Sequence, residues 1–161
     1  MPENLAKEFM EVSKAAQIEA VTINKEDFKY IFNEKKFSFV NLESPFKNFN
    51  KLCDISEIGI ESALVNADHG IAETGTLVID STDEKIRLAT CLAEHLYVVL
   101  KKSSIVGKLE NIISYMNEKN SADNAYIAFI SGASRTADIE RVLTIGVHGP
   151  QKMTVYIIED L

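Results

Sequence analysis

The sequence predicts an α/β domain of three layers, in which helices cover both faces of a mainly parallel sheet. Segments with the 3.6-residue period of helices alternate with segments of strand character, and this alternation implies crossover connections between parallel strands. The chain has 161 residues, of which 46% are hydrophobic and 25% are charged. This length and composition are typical of one globular domain with a sizeable core, so we expect a single domain over residues 1–161.

The first third of the chain predicts two helices and two strands. An apolar stripe indicates the first helix: Leu5, Phe9, Val12 and Ala16. The stretch "QIEAVTI" then has strand composition, and Asn24 is suited to cap a second helix. That helix offers three side chains to the core: Phe28, Ile31 and Phe32. "KFSFVNL" follows as a strand that Pro45 ends, and residues 46–58 are left without an assigned element.

The remainder of the chain predicts further strands and one clear helix. Gly70 and Gly75 interrupt residues 59–80, which indicates two strands around a bend or a hairpin. "HLYVVLK" is a buried strand candidate. After it, one apolar face predicts a helix: Ile105, Val106, Leu109, Ile112, Ile113 and Met116. "NAYIAFISG" and "MTVYIIED" are the last two predicted strands.

Charge and cysteine usage narrow the functional classes. The net charge of −7 argues against nucleic acid as the main partner, because phosphate binding requires a basic face. Cys53 and Cys91 are the only two cysteines and form no C-x-x-C pair, so we expect no iron–sulfur cluster in this chain and two buried thiols. The chain lacks the pattern of a signal peptide or a membrane span, and we therefore expect a cytoplasmic protein. The three histidines show no short metal-ligand spacing, so no metal site is predicted.

The stretch "SGASRTADIERVLTIGVHGP", residues 131–150, gathers three of the seven glycines. It follows a strand and opens a helix, and ligands of α/β sheets bind beyond the carboxyl ends of the strands. Gly132 allows a tight turn, and Arg135 supplies donors suited to carboxylate or phosphate. Hydroxyl groups come from Ser131, Ser134 and Thr136. Free amides at the helix start would also point at an anion. Binding of a small anionic ligand is one interpretation of this stretch.

A purely structural interpretation of the same residues stays open. Thr136 is suited to cap the helix, and Asp138 and Glu140 complement its dipole while weakening the attraction of an external anion. Gly146 is suited to end the helix. In "GVHGP", Gly149 and Pro150 form a turn, and His148 is either a proton carrier, an anion ligand or a loop residue without a chemical role.

A second dense segment is "ADHGIAETGTLVID", residues 67–80. Its tight turn into an apolar strand comprises Glu73, Thr74, Gly75 and Thr76. A carboxylate at Glu73 would serve as a general base, a nucleophile or a ligand for a donor group. Asp68 and His69 are candidates for an acid/base pair. The alternative is a β-turn whose threonine hydroxyls satisfy their own backbone.

Together, "GIAETGTLVI", the 131–150 stretch and the closing "MTVYII" resemble the LUD domain family. The resemblance covers residues 55–161 well and residues 1–57 loosely, and the chain looks shorter than many relatives before Ile58. It implies a fold similar to the phosphosugar isomerase and CoA-transferase superfamily. It further implies a subunit of a bacterial system that oxidises L-lactate to pyruvate, with iron–sulfur subunits as partners and no redox centre in this chain. A homo-oligomer stays open.

The resemblance also carries the candidate site residues. Glu73 and His148 are the candidate catalytic residues, although relatives often have Asp at the first position, which speaks against an obligatory covalent nucleophile. The candidate ligand-binding residues are Thr74, Gly75, Thr76, Ser134, Arg135, Thr136, Asp138, Gly146 and Gly149. The alternatives to an accessory subunit are a stand-alone isomerase- or transferase-like enzyme that uses Glu73 and His148, and a ligand-sensing module. Each of these three functions requires the 67–80 segment and the 131–150 stretch to meet at one edge of the sheet.

Overall fold

The structure is a computed structural model that describes residues 2–133 and 149–159. Its helices are α1 (Pro2–Ala15), α2 (Lys25–Glu34), α3 (Glu84–Leu92) and α4 (Ile113–Asn120). Its strands are β1 (Ile18–Ile23), β2 (Phe39–Asn41), β3 (Ile60–Ala67), β4 (His69–Ile71), β5 (Thr76–Asp80), β6 (Ala93–Lys101), β7 (Ile105–Val106), β8 (Ile127–Ile130) and β9 (Lys152–Ile158). Short 3-10 turns lie at Lys47–Phe49, Lys102–Ser104 and Leu109–Ile112.

Five strands form a parallel sheet in the order β1-β9-β6-β3-β2. Its central strands β3, β6 and β9 are almost continuously buried, as expected for a parallel sheet with both faces covered. Four further strands form a second sheet in the order β7-β4-β5-β8. In this second sheet β5 pairs antiparallel with both β4 and β8, whereas β4 and β7 are parallel.

Two hydrophobic clusters cover the faces of the five-stranded sheet. On one face, α2 packs Phe28 against Phe46 and Tyr156, with ring centroids 4.5 and 5.9 Å apart. On the other face, Phe9 of α1, Ala89 of α3 and side chains of the second sheet form the larger cluster. The fold class predicted from the sequence, a mainly parallel sheet flanked by helices, is confirmed.

The first predicted elements are confirmed in detail. α1 and β1 follow each other as the apolar patterns indicate. Asn24 caps α2, since its side-chain oxygen accepts a hydrogen bond of 2.8 Å from the backbone N–H of Asp27. Phe28 is fully buried one turn later. The hairpin expected within residues 59–80 is formed by β4 and β5.

The helix predicted over residues 105–116 is wrong in its first half. Ile105 and Val106 form β7 instead, where Val106 accepts a backbone hydrogen bond of 2.8 Å from Ala72 and Ile105 is buried against the main cluster. The helix α4 begins only at Ile113. The apolar side chains of Ile105 and Val106 are therefore explained by burial of a strand, which periodicity alone does not distinguish from a short helix.

Residues 81–92 contain a helix, α3, that the apolar pattern of the sequence does not predict. Asp83 caps α3 by accepting a hydrogen bond of 2.9 Å from the backbone N–H of Lys85, and Ala89 and Thr90 are buried. The prediction of two buried thiols is also wrong. Cys91 on α3 is exposed, and Cys53 is only partly buried, with its Sγ 3.4 Å from the carbonyl oxygen of Ser38.

Candidate functional site

The turn between β4 and β5 presents the first motif. Gly75 has a φ of +63°, in the left-handed region that favours glycine. A Cβ atom on Gly75 would lie 3.0 Å from the backbone N and 3.1 Å from the Cα of Ser13. The turn therefore rests directly on the last turn of α1. Glu73 and Thr74 are exposed, whereas Thr76 is buried.

A chain of three hydroxyl groups joins the first motif to the second. The Oγ1 atoms of Thr74 and Thr76 are 2.8 Å apart, and the Thr76 Oγ1 is 2.6 Å from the Oγ of Ser131. Ser131 directly follows β8, which pairs with β5 and so carries the start of the second motif to the first. Two segments 55 positions apart in sequence thus meet through side-chain hydrogen bonds.

The start of the second motif rests on the same helix end. Gly132 has a φ of +119°, and a Cβ atom there would lie 2.9 Å from the carbonyl oxygen of Ala16. Gly75 and Gly132 have no Cβ atom. The backbone at these two positions therefore lies closer to the end of α1 than any other residue would permit. We call this contact region the α1 junction: Ser13, Ala16, Gly75, Thr76, Ser131 and Gly132.

The α1 junction lies at the amino edge of the five-stranded sheet. Ala16 stands two residues before Ile18, the first residue of β1, and Ile18 is paired with Met153 near the start of β9. The place of a ligand stays a prediction, but the described parts of the two motifs meet at the edge opposite to the carboxyl ends of the parallel strands, where the sequence predicts the ligand crevice. The physical reason is that β8 belongs to the second sheet, where it pairs antiparallel with β5.

A cavity of about 360 Å³ adjoins the α1 junction between α3 and β8. Its lining includes Arg87, Thr90, Cys91, Ser131, Gly132 and Gly149. The guanidinium of Arg87 is already engaged, because it donates to the carbonyl oxygens of Ser81 and Thr82 at 3.0 and 3.1 Å. The lining is mainly apolar with a few polar groups, which is typical of small-molecule sites.

The predicted site residues divide into two groups. Thr74, Gly75 and Thr76 lie at or beside the α1 junction, and Gly149 lines the cavity together with Pro150. The remaining candidates fall outside the described residues: Ser134, Arg135, Thr136, Asp138, Glu140, Gly146 and His148. The roles suggested for both groups stay predictions.

Residues 9–158 match the LUD domain family. The chain belongs to this family. A crystal structure of a DUF162 family protein from Deinococcus radiodurans covers 98% of both chains with a TM-score of 0.72 at 14% sequence identity, which shows the same fold.

Longer bacterial proteins resemble this LUD domain over part of their length. "Uncharacterized protein YkgG" of Escherichia coli strain K12 is 37% identical over 100 residues, which are 60% of this chain and 43% of that protein. "Lactate utilization protein C" of Geobacillus sp. strain WCH70 is 36% identical over 97 residues, 58% of this chain and 40% of that protein. Its namesake in Bacillus pumilus is 35% identical over 101 residues, 61% of this chain and 42% of that protein. The matched part is thus less than half of each relative.

The proposed acid/base pair of Asp68 and His69 does not form in this LUD domain. Asp68 instead accepts a hydrogen bond from the Tyr115 hydroxyl, and burial together with this carboxylate raises the pKa of Tyr115. The Nδ1 of His69 lies 3.2 Å from the carbonyl oxygen of Ser104. Asp68 forms the bend between β3 and β4, and His69 is the first residue of β4, so the two side chains contact different neighbours.

Three features of the site were not found from the sequence. The end of α1 anchors both motifs, α3 supplies one wall of the cavity, and the Oγ of Ser13 is buried without a hydrogen-bond partner among the described residues. Asp83 followed by Glu84 is a helix-start signal that would have revealed α3. Within residues 2–133 and 149–159, no group of three or more His, Cys, Asp or Glu side chains is placed to hold a metal ion. No described helix has the length and apolar character needed to cross a membrane.

Proposed function

We propose that this LUD domain acts in bacterial L-lactate utilization, as a subunit that binds a small anion or a partner protein while L-lactate is oxidised to pyruvate. One observation carries the proposal: the chain is 34–36% identical over 93–101 residues to several proteins named "Lactate utilization protein C". The family match over residues 9–158 supports it, because the shared region includes both motifs.

We assign the redox centres of such a system to iron–sulfur partner subunits. Oxidation of lactate to pyruvate removes two electrons, and free thiols such as those of Cys53 and Cys91 cannot accept them. Its two cysteines are 38 positions apart in sequence, one on α3 and the other before β3. Iron–sulfur clusters are held by sets of four cysteine or related ligands, so this chain would depend on partners for electron transfer.

The hydroxyl chain of the α1 junction supports an anionic ligand. Three hydroxyl groups carry three protons, and the two links of the chain use two of them. When the buried Thr76 donates to one neighbour and accepts from the other, the third proton remains on an exposed end, Thr74 or Ser131. When that end is Ser131, which lines the cavity of about 360 Å³, it offers a donor to a carboxylate oxygen in the cavity.

Growth on L-lactate tests the proposal. Deletion of the gene in its host should abolish or slow growth on L-lactate as sole carbon source and leave growth on glucose unchanged. A tagged full-length chain, purified from lactate-grown cells, should bring cysteine-rich iron–sulfur proteins with it. Unchanged growth on lactate, with no such association, would refute the proposed role.

Complementation with Glu73→Gln distinguishes an accessory subunit from an enzyme that uses this carboxylate. The Glu73 side chain is exposed, so the variant should fold like the wild type. We expect it to restore growth on L-lactate, because binding by the hydroxyl chain does not need a carboxylate. Failure of a folded Glu73→Gln chain to restore growth would indicate acid/base work by Glu73 instead.

A further inference from the structure

A polar cleft opens at the amino edge of the five-stranded sheet, on the face that carries α2. It consists of two adjoining cavities of about 290 and 210 Å³, and His95 lines both of them. Lys35, Lys36 and Tyr97 line the first cavity, and Lys152 and Thr154 line the second. We call the combined feature the His95 cleft.

The position of the His95 cleft follows from strand register. Ser62, His95 and Lys152 are paired across β3, β6 and β9, and paired residues of neighbouring strands point to the same face. Further along the same strands, Leu64 and Tyr156 on this face are covered by α2 and its aromatic neighbours. The helix does not reach the first residues of the strands, and these residues are polar.

The His95 ring is held in one orientation. It stacks on Tyr97 with a centroid separation of 3.9 Å and an interplanar angle of 11°. Its Nε2 lies 2.8 Å from the Oγ1 of Thr154. Burial lowers the pKa of His95, and the positive charges of Lys35 and Lys152 lower it further, whereas Glu19 acts in the opposite direction.

The cleft concentrates positive charge in a chain whose net charge is −7. Its three lysines face two carboxylates, those of Glu19 and Glu61. Among the described residues, no carboxylate lies within 4.0 Å of the amino groups of these lysines. The Lys35 ammonium instead stands 4.9 Å from the ring centre of Tyr97.

Lys35 and Lys152 place two positive charges beside the His95 ring, and like charges repel one another, which disfavours a third positive charge on the ring. An anion between them removes this repulsion and adds charge-assisted hydrogen bonds. We propose that the His95 cleft binds a small molecule through a phosphate or carboxylate group, placed between Lys35 and Lys152 and beside His95. This site lies on the opposite face of the sheet from α1 and α3, and it is independent of the role in lactate utilization.

Titration of the imidazole resonances in the full-length chain tests the proposal, with inorganic phosphate and acetate as the two probes. A bound anion stabilises the protonated ring, so the bound probe should raise the pKa of His95 saturably. His69 provides an internal reference, because its ring contacts Ser104 and Tyr115 and lies outside the cleft. A response to phosphate alone or to acetate alone would identify the preferred group.

Substitution of the two lysines provides the control for specificity. Lys35→Gln and Lys152→Gln should each weaken binding of the effective probe about tenfold, since each removes a hydrogen bond to a charged group. Lys102→Gln removes the same charge after the carboxyl end of β6 and should change binding less than about twofold. Circular dichroism confirms folding of each variant. The proposal fails if neither probe shifts His95 saturably, or if all three variants respond like the wild type.

Discussion

Substitution of Gly75 by alanine tests whether the end of α1 holds the first motif in place. The new Cβ atom would lie 3.0–3.1 Å from the backbone N, the Cα and the Oγ of Ser13. Two of these atoms are helix backbone, which cannot rotate away as a flexible side chain would. Gly75 also has a φ of +63°, which an alanine adopts only with strain.

The expected loss of stability follows from these two costs. The left-handed conformation costs an alanine roughly 1–2 kcal/mol. Forcing an extra methyl group into a packed contact typically costs about 1–3 kcal/mol. We therefore expect Gly75→Ala to lower the free energy of unfolding by about 2–5 kcal/mol, a large fraction of the ~5–15 kcal/mol that stabilises a typical domain.

Gly107→Ala is the matched control. A Cβ atom there would meet only the side chains of Asn111 and Leu5, both at 3.7 Å, which is ordinary contact. We expect its stability within about 1 kcal/mol of the wild type. Urea unfolding followed by far-ultraviolet circular dichroism suits a chain without tryptophan. A Gly75→Ala variant within about 0.5 kcal/mol of the wild type, or an equal loss in both variants, would refute the reasoning.

Two further predictions concern the core and one ion pair. Phe28→Ala should lower the free energy of unfolding by about 3–5 kcal/mol, because Phe28 is fully buried. Tyr30→Ala on the same helix should lower it by less than about 0.5 kcal/mol, because Tyr30 is 68% exposed. Equal urea midpoints for the two variants would contradict this prediction. Partial burial raises the pKa of Asp80, but hydrogen bonds from Lys119 and Thr82 outweigh it and leave the pKa lowered. Asp80 therefore contributes stability above its unfolded pKa of about 3.9, which is lost as pH falls through the folded value. Lys119→Met should raise the pKa of Asp80, measured in a carbon-13 titration, and should make the fall in stability at acid pH shallower. An unchanged pKa of Asp80 would refute the role given to Lys119.

Local patterns were sufficient to predict most of the fold. Asn24 followed by an acidic first turn defines the start of α2, and continuous apolar runs define β6 and β9 as buried strands. These signals depend on neighbours in sequence. The segment predicted as the start of a helix is instead β7, which shows the limit of local patterns: Ile105 is buried and Val106 is partly buried where β7 pairs with β4, 35 positions away in sequence.

The contacts of the candidate site were harder to predict, because they depend on the direction of one hairpin. β3 carries the chain to the carboxyl edge, and β4 then returns towards the amino edge. The contacts with α1 show this reversal. Gly70 packs on Phe9, whereas Gly75 packs on Ser13, which is nearer to β1 in the chain. A sequence that predicts strands and a hairpin does not say over which edge the turn lies.

The same reversal explains why the two candidate binding features, the α1 junction and the His95 cleft, lie close together. Gly132 contacts Ala16 at the α1 junction. Gln17, which follows Ala16 in the chain, lines the smaller cavity of the His95 cleft. Gln17 has a φ of +60°, so the chain turns sharply between α1 and β1 at this point. Because adjacent residues form parts of the two features, the α1–β1 connection is the shortest covalent path between them. A ligand that shifted this connection at one site would change the backbone that shapes the other.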